Sequence, residues 1–511
     1  MTSRSHADIR HAVSSARQDA QQAPFLWISA GPTQIRGLSR HLATASPLGD
    51  AFVRWQWDGR ELVVENDAFG LIPLFIYRRA GTIALSTSID KLVHEGAAVR
   101  VDWPALAVFL RLGFFIGEDT PFAEIRALAP GATLVWRDGD DHVTGGPYIV
   151  PASRVTRGAA IDQAIALTAA AVDRRRPAEP FAVPLSGGRD SRHILLALAA
   201  GGDRPSFTVT VPRFPPSAAE DETVAALVAS AVGVTHVVVR PTSPPAPTEA
   251  RKNVETSYCA DEHAWFYPML DYVRGRTRVL YEGIGGSLWT VGWLPQRDAR
   301  DLWQSGRARD VAERMLDRYS GVGDPFLDDL LADRPAADRA AAIERLVPEI
   351  ERHANAPDPG KSFHFWNRLR RELALVPFDR MRQSGTVHTP LVDRGLVDFL
   401  LSLRPEIVSP RLSRTDLSFH SEAIYRAYPA FAHIPFEADG APHTDASAHN
   451  RSLTVAVARH LLRRARPFRL MRTAYVVPRL AYTLASRRYA SSSRWLAMSA
   501  LYLSQLEDAA A

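Results

Sequence analysis

The sequence predicts an α/β protein with a β-rich N-terminal part and a second part built on a parallel sheet. Short β-prone runs dominate residues 25–150, and from about residue 159 strands alternate with helices, a pattern typical of parallel sheets with crossover helices. After Tyr281 the pattern becomes mainly helical. A chain of 511 residues suits two or three domains. We therefore expect one domain over residues 1–150 and another over residues 151–511.

The elements of the N-terminal part are short runs separated by turn signals. Asp58–Gly59 is a good hairpin turn, Pro130–Gly131 turns the chain into a strand, and Ala105–Leu112 has helical character. The predicted strands are Phe25–Ile28, Ala51–Trp57, Glu61–Glu65, Leu74–Tyr77 and Ala132–Trp136.

The second part alternates strands and helices around a glycine-rich loop. Its predicted strands are Phe181–Leu185, Phe207–Val211 and His236–Val239. Its predicted helices are Ala160–Asp173, Arg192–Ala200 and Asp221–Val232. The proline-rich run Pro241–Pro247 is expected to be a connecting loop.

The most informative stretch is the loop Ser186–Ser191, which lies between a predicted strand and a predicted helix. Its two glycines allow backbone N–H groups to approach a ligand closely, its serine hydroxyls can donate, and a helix N-terminus favours anions. Phosphate groups satisfy all three conditions. Asp190 would be repelled by phosphates unless a cation lay between them, so we predict that it is a magnesium ligand.

The charge of the chain is positive, with a formal net charge of +5 and a pI near 9.4. Nearly all of the positive charge is carried by arginine, which indicates a biased amino-acid composition and not a nucleic-acid-binding surface. In the C-terminal region arginines cluster among apolar residues, which indicates either amphipathic helices with solvated basic faces or a docking surface for an acidic partner protein or a membrane. These arginines are Arg451, Arg459, Arg463, Arg464, Arg466, Arg469, Arg472, Arg479, Arg487, Arg488 and Arg494.

Cysteine usage and hydropathy exclude several classes of protein. The single cysteine, Cys259, excludes an internal disulfide framework and a cysteine-based zinc site. The first 24 residues contain no apolar signal core, and no apolar run is long enough to span a bilayer. We expect a soluble cytoplasmic protein without a nucleic-acid partner.

Ordered motifs along most of the chain resemble those of asparagine synthetase and its relatives, which include β-lactam synthetases and lasso-peptide cyclases. The motifs in the N-terminal half are Asn66–Phe75, Ala84–Ser88 and Leu128–Gly131. Those in the second half are Ser186–Ser191, Asp221–Glu222 with Ala225 and Ala226, Gly233–His236, Gly283–Gly286, Asp379–Met381 and Pro390–Asp393.

The resemblance implies a fold and a chemistry. Residues 1–150 would form an Ntn-hydrolase-like, glutaminase-like α+β domain, and residues 151–511 a PP-loop ATP pyrophosphatase domain (adenine nucleotide α-hydrolase-like) with a helical C-terminal part. A substrate carboxylate attacks the α-phosphorus of ATP, pyrophosphate leaves, and an amine attacks the acyl-adenylate. The implied cofactors are ATP and Mg²⁺, with Asp190 on the metal. The residues expected at ATP are Leu185, Ser186, Gly187, Gly188, Asp190, Ser191, Val209, Gly285 and Gly286.

The chain departs from the family pattern at its N-terminus. Amidotransferase members use an N-terminal cysteine to hydrolyse glutamine, whereas position 2 here is Thr2 and the first strand begins only near Phe25. We therefore expect a glutaminase-like domain that lacks glutaminase activity.

The chain also departs from the family pattern in its second part, residues 151–511. The second loop carries Ser287 where the family has a second metal-binding aspartate, and Glu282 is a candidate substitute. The active-site lysine of the family has no counterpart, since no lysine follows Lys361. Positive charge could come instead from Arg380, Arg414 or Arg426. Our candidate catalytic residues are therefore Glu282 and Arg380.

Other residues have competing interpretations. Asp221 and Glu222 begin a helix, so they fit a capping role and a site role equally. His193 and Cys259 fit packing roles better than catalytic ones, while Asp261, Glu262 and His263 could face an acceptor pocket. Tyr281 and Glu282 resemble a tyrosine–glutamate dyad, but they are adjacent in sequence and the roles do not carry over.

The function we predict is an ATP-dependent amide- or lactam-forming ligase of natural-product or peptide biosynthesis. Its substrate would be a small molecule or a peptide with a carboxylate and an amine, as in lasso-type macrolactam formation. Two alternatives remain open, a non-catalytic nucleotide-binding scaffold and an ammonia-dependent asparagine synthetase.

Overall fold

The computed structural model describes residues 8–29, 34–45, 48–212, 220–241, 245–261, 264–290, 297–319, 324–333, 335–409, 418–437, 446–464 and 466–510. The structural statements below concern these ranges. None of their helices is both long enough and apolar enough to cross a membrane.

The N-terminal part contains two five-stranded antiparallel sheets. The strands are β1 (Phe25–Ser29), β2 (Gln34–Gly37), β3 (Arg40–Thr44), β4 (Phe52–Trp57), β5 (Glu61–Asn66), β6 (Phe75–Arg79), β7 (Thr82–Ser86), β8 (Ile125–Ala127), β9 (Thr133–Arg137) and β10 (Asp140–Thr144). The order is β2-β1-β7-β6-β8 in one sheet and β10-β9-β5-β4-β3 in the other. Three helices accompany them, α1 (Ile9–Ala20), α2 (Ile89–His94) and α3 (Trp103–Leu112).

The inner faces of the two sheets share one hydrophobic core. Alternate residues of β1, including Leu26 and Ile28, join alternate residues of β4 and β5, including Trp55 and Val64, in a single buried cluster, as expected from the two-residue period of strands. The opposite face of the first sheet, with Tyr77, packs in a second cluster with α2 and α3. Each face of the first sheet is therefore covered.

The second part is built on a five-stranded parallel sheet with the order β13-β12-β11-β14-β15. The strands are β11 (Phe181–Pro184), β12 (Phe207–Thr210), β13 (His236–Val238), β14 (Val279–Tyr281) and β15 (Thr386–His388). The helices between them include α4 (Arg157–Asp173), α5 (Asp190–Ala200), α6 (Glu220–Val232), α7 (Pro245–Glu255) and α8 (Phe266–Val273). All four pairings are parallel, so the carboxyl ends of the strands lie at one edge.

In the described residues after β14, the elements are helices except for β15. Its α-helices are α9 (Arg297–Gln304), α10 (Ala308–Tyr319), α11 (Asp324–Leu330), α12 (Arg339–Arg352), α13 (Pro359–His364), α14 (Arg370–Leu375), α15 (Arg394–Ser402), α16 (Pro405–Val408), α17 (Phe419–Ala427), α18 (Ser447–Leu462), α19 (Thr473–Ala485), α20 (Arg487–Ala490) and α21 (Arg494–Ala509).

The predicted α/β class, with its β-rich first part, parallel sheet and helical end, is confirmed. The prediction of a loop over Pro241–Pro247 was wrong at its end, because Pro245 opens α7; proline suits the first turn of a helix, where its missing N–H has no intrahelical partner. The mainly helical region after Tyr281 also contains one strand, β15. That strand completes the parallel sheet against β14.

Helix α1 joins the two parts of the structure. It packs against α7, and Arg17 of α1 lies 3.4 Å from the carboxylate of Asp90 on α2. Burial raises the pKa of Asp90 to about 6, although Arg17 and Tyr258 counteract this rise. The segment before β1 therefore forms part of the contact between the two parts of the chain.

Candidate active site

The glycine-rich loop lies at the carboxyl edge of the parallel sheet, as predicted. Strand β11 is fully buried, and the chain leaves it at Leu185, whose N–H donates to Val209 O at 2.9 Å. The Thr210 hydroxyl donates to Leu185 O. Helix α5 then begins at Asp190. The loop is thus anchored to the neighbouring strand β12 before it turns.

Three backbone N–H groups of the loop donate hydrogen bonds to side-chain oxygens of the protein. Ser186 N–H donates to Ser191 Oγ at 3.0 Å, and Gly188 N–H donates to Ser186 Oγ at 3.3 Å. Gly187 N–H donates to Oδ1 of the buried Asp221 at 2.5 Å. Of the two interpretations of Asp221, the contact favours the site role, because its carboxylate holds the loop.

A second glycine loop follows β14 and touches the start of α5. A Cβ added at Gly283 would lie 2.7 Å from Ser191 N, and one added at Gly286 would lie 1.8 Å from Asp190 Oδ1. A side chain at Gly283 would meet backbone, whereas a side chain at Gly286 would have to displace the Asp190 carboxylate. The two loops predicted from separate motifs are therefore in direct contact, with the Asp190 carboxylate resting on Gly286.

The Asp190 carboxylate also contacts a pair of histidines that the sequence did not indicate as a pair. His420 Nδ1 on α17 lies 3.3 Å from Asp190 Oδ1, and His420 Nε2 lies 3.0 Å from His193 Nδ1. Trp289 stacks on His420 with ring centroids 4.4 Å apart. If the carboxylate is ionised it only accepts, so His420 Nδ1–H donates to it and His193 Nδ1–H donates to His420 Nε2.

Several buried polar atoms around the second loop have no hydrogen-bond partner among the described residues. They are Glu282 Oε2, Ser287 Oγ, Trp289 Nε1 and His193 Nε2. Burial, with a smaller contribution from Asp190, raises the pKa of Glu282 to about 7. Burial and the neighbouring His420 hold the pKa of His193 well below its ordinary value. Unpaired polar atoms are costly unless a ligand or water satisfies them.

Two arginines hold a later segment of the chain over the loop. Arg192 donates to Ile434 O at 3.0 Å and to Pro435 O at 2.7 Å, and its guanidinium lies over the Phe436 ring. Burial lowers the pKa of Arg192 to about 10. Arg189 donates to Ser421 Oγ at 2.6 Å. The segment after α17 thus closes one side of the site.

Of the three arginines predicted to replace the family lysine, two pair with acids outside the glycine loops and one lies outside the described residues. Arg380 is buried against Asp379 at 2.6 Å and Glu255 at 3.7 Å. This cluster involves α7 and not the glycine loops, so the contacts of Arg380 are those of a buried ion pair, and its catalytic role stays a prediction. Arg426 pairs with Asp162 at the surface, and Arg414 lies outside the described residues.

The remaining candidates separate into buried and cleft-lining groups. Tyr281 donates its hydroxyl to Arg175 O, away from Glu282, as expected for neighbouring residues at a strand end. Burial raises the pKa of the Cys259 thiol to about 11, which agrees with its packing interpretation. Asp261 lines a cleft. Glu262 and His263 lie outside the described residues.

A large cleft begins beside this edge of the sheet. It has a volume of about 1890 Å³ and is lined near the sheet by Pro212, Glu222 and Arg240. Its far walls are residues 109–115 of the N-terminal part and α21. Both parts of the chain therefore contribute to one cleft, which is larger than the roughly 300–1,000 Å³ usual for small-molecule sites.

No group of three or more histidine, cysteine, aspartate or glutamate side chains in the described part of the chain could hold a metal ion. Asp190 offers a single half-exposed carboxylate. Magnesium commonly uses one or two protein carboxylates together with water and phosphate oxygens. The donor set therefore fits a metal ion only if a nucleotide supplies further ligands.

Comparison with known proteins identifies the class to which this arrangement belongs. Residues 49–148 match the glutamine amidotransferase domain family, and residues 164–433 match the asparagine synthase family. The first match covers β4 to β10 of the two antiparallel sheets, and the second covers all five strands of the parallel sheet. The chain belongs to the asparagine synthase family, whose members use ATP.

The remaining comparisons are less informative. No curated protein matches the chain. One similar solved structure is glutamine phosphoribosylpyrophosphate (PRPP) amidotransferase from B. subtilis, complexed with ADP and GMP. It is 12% identical over 38% of this chain, with a TM-score of 0.15. The chain spans about half the length of that structure, at 49%.

Sequence reasoning missed the residues that come from distant parts of the chain. His420 and Ser421 lie more than 220 residues from the loop that they contact. Nothing in their local sequence marks them, since they begin an ordinary capped helix. Trp289 could have been noticed because it follows the second glycine loop by three residues.

Proposed function

We propose that this protein adenylates a substrate carboxylate with ATP and couples it to an amine of the same or a second substrate molecule, without using glutamine. We further propose a domain boundary near residue 150. The observation that carries the proposal is the contact between the two glycine loops, in which the Asp190 carboxylate lies on Gly286 at the N-terminus of α5.

The glycine loops would receive the nucleotide. The hydroxyls of Ser186 and Ser191 would donate to phosphate oxygens beside Gly188, and the α5 N-terminus would favour the charge of the phosphates. Leu185 and Val209 would flank the adenine at the strand ends. Asp190 would hold Mg²⁺, which when bound offsets charge on the pyrophosphate. Other predicted contacts are Gly187, Gly285 and Gly286.

The proposed reaction has two steps, and each has one nucleophile: the carboxylate in the first step and the amine in the second. A carboxylate oxygen bonds to the α-phosphorus while the bond to the bridging oxygen of pyrophosphate breaks. The amine nitrogen then bonds to the acyl carbon, the bond from that carbon to the oxygen on phosphorus breaks so that AMP leaves with the carboxylate oxygen that attacked it, and one amine proton must be accepted. Glu282 is our candidate acceptor, because its pKa lies near 7 and its Oε2 is unpaired.

The independence from glutamine rests on what precedes β1. Helix α1 occupies that place and packs against α7, while the single cysteine, Cys259, is buried in the other part of the chain. No cysteine is therefore available at the start of the first sheet. The amine would come from the substrate itself.

The cleft volume favours a peptide over a small amino acid as substrate. About 1890 Å³ exceeds what an aspartate and ammonia need, so we favour peptide macrolactam formation, as in lasso-peptide biosynthesis, over asparagine synthesis. Aromatic and charged side chains share the cleft walls, among them Trp265, Tyr267 and Arg368. Such walls suit an extended chain with mixed side chains.

The first experiment measures MgATP binding to the full-length protein by calorimetry. We expect binding by the wild type and a loss of at least about tenfold in affinity for Asp190→Ala, which removes a charge-assisted contact. Asp173→Ala is the matched control, since this aspartate lies at the end of α4 and is 74% exposed. Absence of MgATP binding in the wild type would favour a non-catalytic scaffold.

The second experiment tests for an activated carboxylate. Hydroxylamine captures such groups as hydroxamates, so peptides with a side-chain or terminal carboxylate should yield hydroxamate and AMP with MgATP. Glu282→Gln should retain MgATP binding but slow amide formation. Release of glutamate from added glutamine would contradict the proposed independence from glutamine.

A further inference from the structure

The C-terminal region contains a long stretch without acidic residues. Between Ala446 and Leu506 the sequence has eleven arginines and no aspartate or glutamate. Arg463, Arg464 and Arg494 pair with acids outside the stretch. Arg472 and Arg488, by contrast, are exposed and make no ion pair with the described residues. The surface formed by this stretch is therefore strongly cationic.

Helix α19, within this stretch, is apolar on its outer face as well as its inner face. Its buried side is formed by Tyr475, Val476, Leu480 and Thr483. On its outer side Val477 is 57% exposed, Tyr482 56% and Leu484 40%. The other exposed residues of that side are Ala474, Pro478, Ala481 and Ala485. This outer face of α19 carries no charged side chain.

The unpaired arginines lie at both ends of the outer face. Arg472 immediately precedes α19. Arg488 lies in α20 beside Tyr489, whose ring is 4.9 Å from the ring of Tyr482 on the outer face. An exposed apolar face with arginines at its ends is the arrangement by which interfacial helices bind anionic lipid.

We propose that the outer face of α19, with Arg472 and Arg488 at its ends, docks the protein on an anionic lipid surface. The apolar side chains would enter the boundary between headgroups and acyl chains, where tyrosine is also favoured. The arginines would contact the anionic headgroups. The proposal places the protein on a membrane surface without a spanning segment, and it does not depend on the enzymatic activity.

Charge complementarity favours lipid over a second copy of the chain. Two copies facing each other through α19 would bring their arginines together, and this stretch offers no acidic residue to pair with them. An anionic membrane supplies negative charge across the whole face. It also receives side chains such as Val477 and Leu484 without requiring hydrogen-bond partners.

The test is co-sedimentation of the full-length protein with vesicles of phosphatidylcholine alone or of equimolar phosphatidylcholine and phosphatidylglycerol. We expect binding to the anionic vesicles, weakening as salt increases. The variant Val477→Glu/Tyr482→Glu should bind at least about tenfold more weakly. Arg472→Ala/Arg488→Ala should lose about fivefold for each arginine at low salt.

Two charge-matched controls separate position from net charge. Leu42→Glu/Leu227→Glu changes two exposed apolar residues elsewhere, 63% and 48% exposed, and Arg40→Ala/Arg60→Ala removes two exposed arginines of the N-terminal part. Both should bind like the wild type. Failure of the wild type to bind anionic vesicles overturns the proposal, as does equal loss in a variant and its control. The proposal would also be overturned if the wild type forms a dimer that the Val477→Glu/Tyr482→Glu variant does not form, while that variant still binds vesicles.

Discussion

The contact between the two glycine loops can be tested by adding a single methyl group. In Gly286→Ala the new Cβ would lie 1.8 Å from Asp190 Oδ1 and 1.9 Å from Asp190 Cγ. The carboxylate must therefore move by about 1.5 Å to reach ordinary van der Waals separation. Such a movement breaks its 3.3 Å contact with His420 Nδ1 and takes it from its place at the start of α5.

The expected loss is large for ligand binding and small for folding. A hydrogen bond to a charged group is worth about 1.5–3 kcal/mol, which is about 10- to 150-fold in MgATP affinity. The Asp190 side chain is 43% exposed, so it can move aside, and we expect the free energy of unfolding to change by less than about 1 kcal/mol. Calorimetry with MgATP and urea unfolding measure the two quantities.

Two other glycines provide controls for this variant. Gly283→Ala places Cβ 2.7 Å from Ser191 N; since backbone cannot move aside, we expect about 1–3 kcal/mol of lost stability. A Cβ at Gly158 on α4 would meet nothing within 4 Å, so Gly158→Ala should leave MgATP binding unchanged and raise stability by up to about 1 kcal/mol. If Gly286→Ala binds MgATP as the wild type does, the Asp190 carboxylate is not part of the nucleotide site.

Three further predictions concern buried charged groups. Burial lowers the pKa of Lys361 from its ordinary 10.5 to about 8, so the free energy of unfolding decreases as pH falls from 10.5 to 8. Lys361→Met should raise the free energy of unfolding, measured with urea at pH 7, by about 3 kcal/mol. This increase should disappear above pH 10.5. Asp221→Ala leaves Gly187 N–H without its acceptor and should weaken MgATP binding about tenfold, whereas Glu222→Ala, which removes a surface pair with Arg240, should not. Arg380→Ala leaves the buried Asp379 carboxylate without its partner at 2.6 Å, whereas Glu255 keeps Arg251 and Tyr267, and it should cost about 3–5 kcal/mol of stability in urea unfolding; a stable but inactive Arg380→Ala would support its role as a catalytic candidate.

The strands could be predicted where the spacing of apolar residues in the sequence matches the burial of side chains in the structure. Strands β1, β4, β5, β11 and β12 alternate or bury their side chains fully, and each was predicted within two residues. Strands β2 and β10 were missed because both are wholly exposed edge strands without an apolar signal. Strand β15 is short and lies among helices, so only its pairing with β14 reveals it.

The site was predictable only as far as its motifs extend. The glycine loops and Asp190 are local patterns, and their meeting follows from the parallel sheet, which brings strand ends to one edge. His420 and Ser421 reach the site through packing of α17, a tertiary contact that no local pattern encodes. The contacts of Arg380 were not predictable for a related reason, because an arginine in a family motif does not show which acids it will meet.

The N-terminal part, which in the proposed function hydrolyses no glutamine, makes contacts that help to form the cleft. Residues 109–115 form one wall of the cleft, and Asp261 on the opposite part lies 3.3 Å from where a Cβ of Gly113 would be. Helix α1 adds a further wall and packs on α7. In the proposed reaction, removal of this part would open one wall of the cleft, and water would then compete with the amine for the activated carboxylate. The N-terminal part would therefore contribute packing surfaces, and no nucleophile, to that reaction.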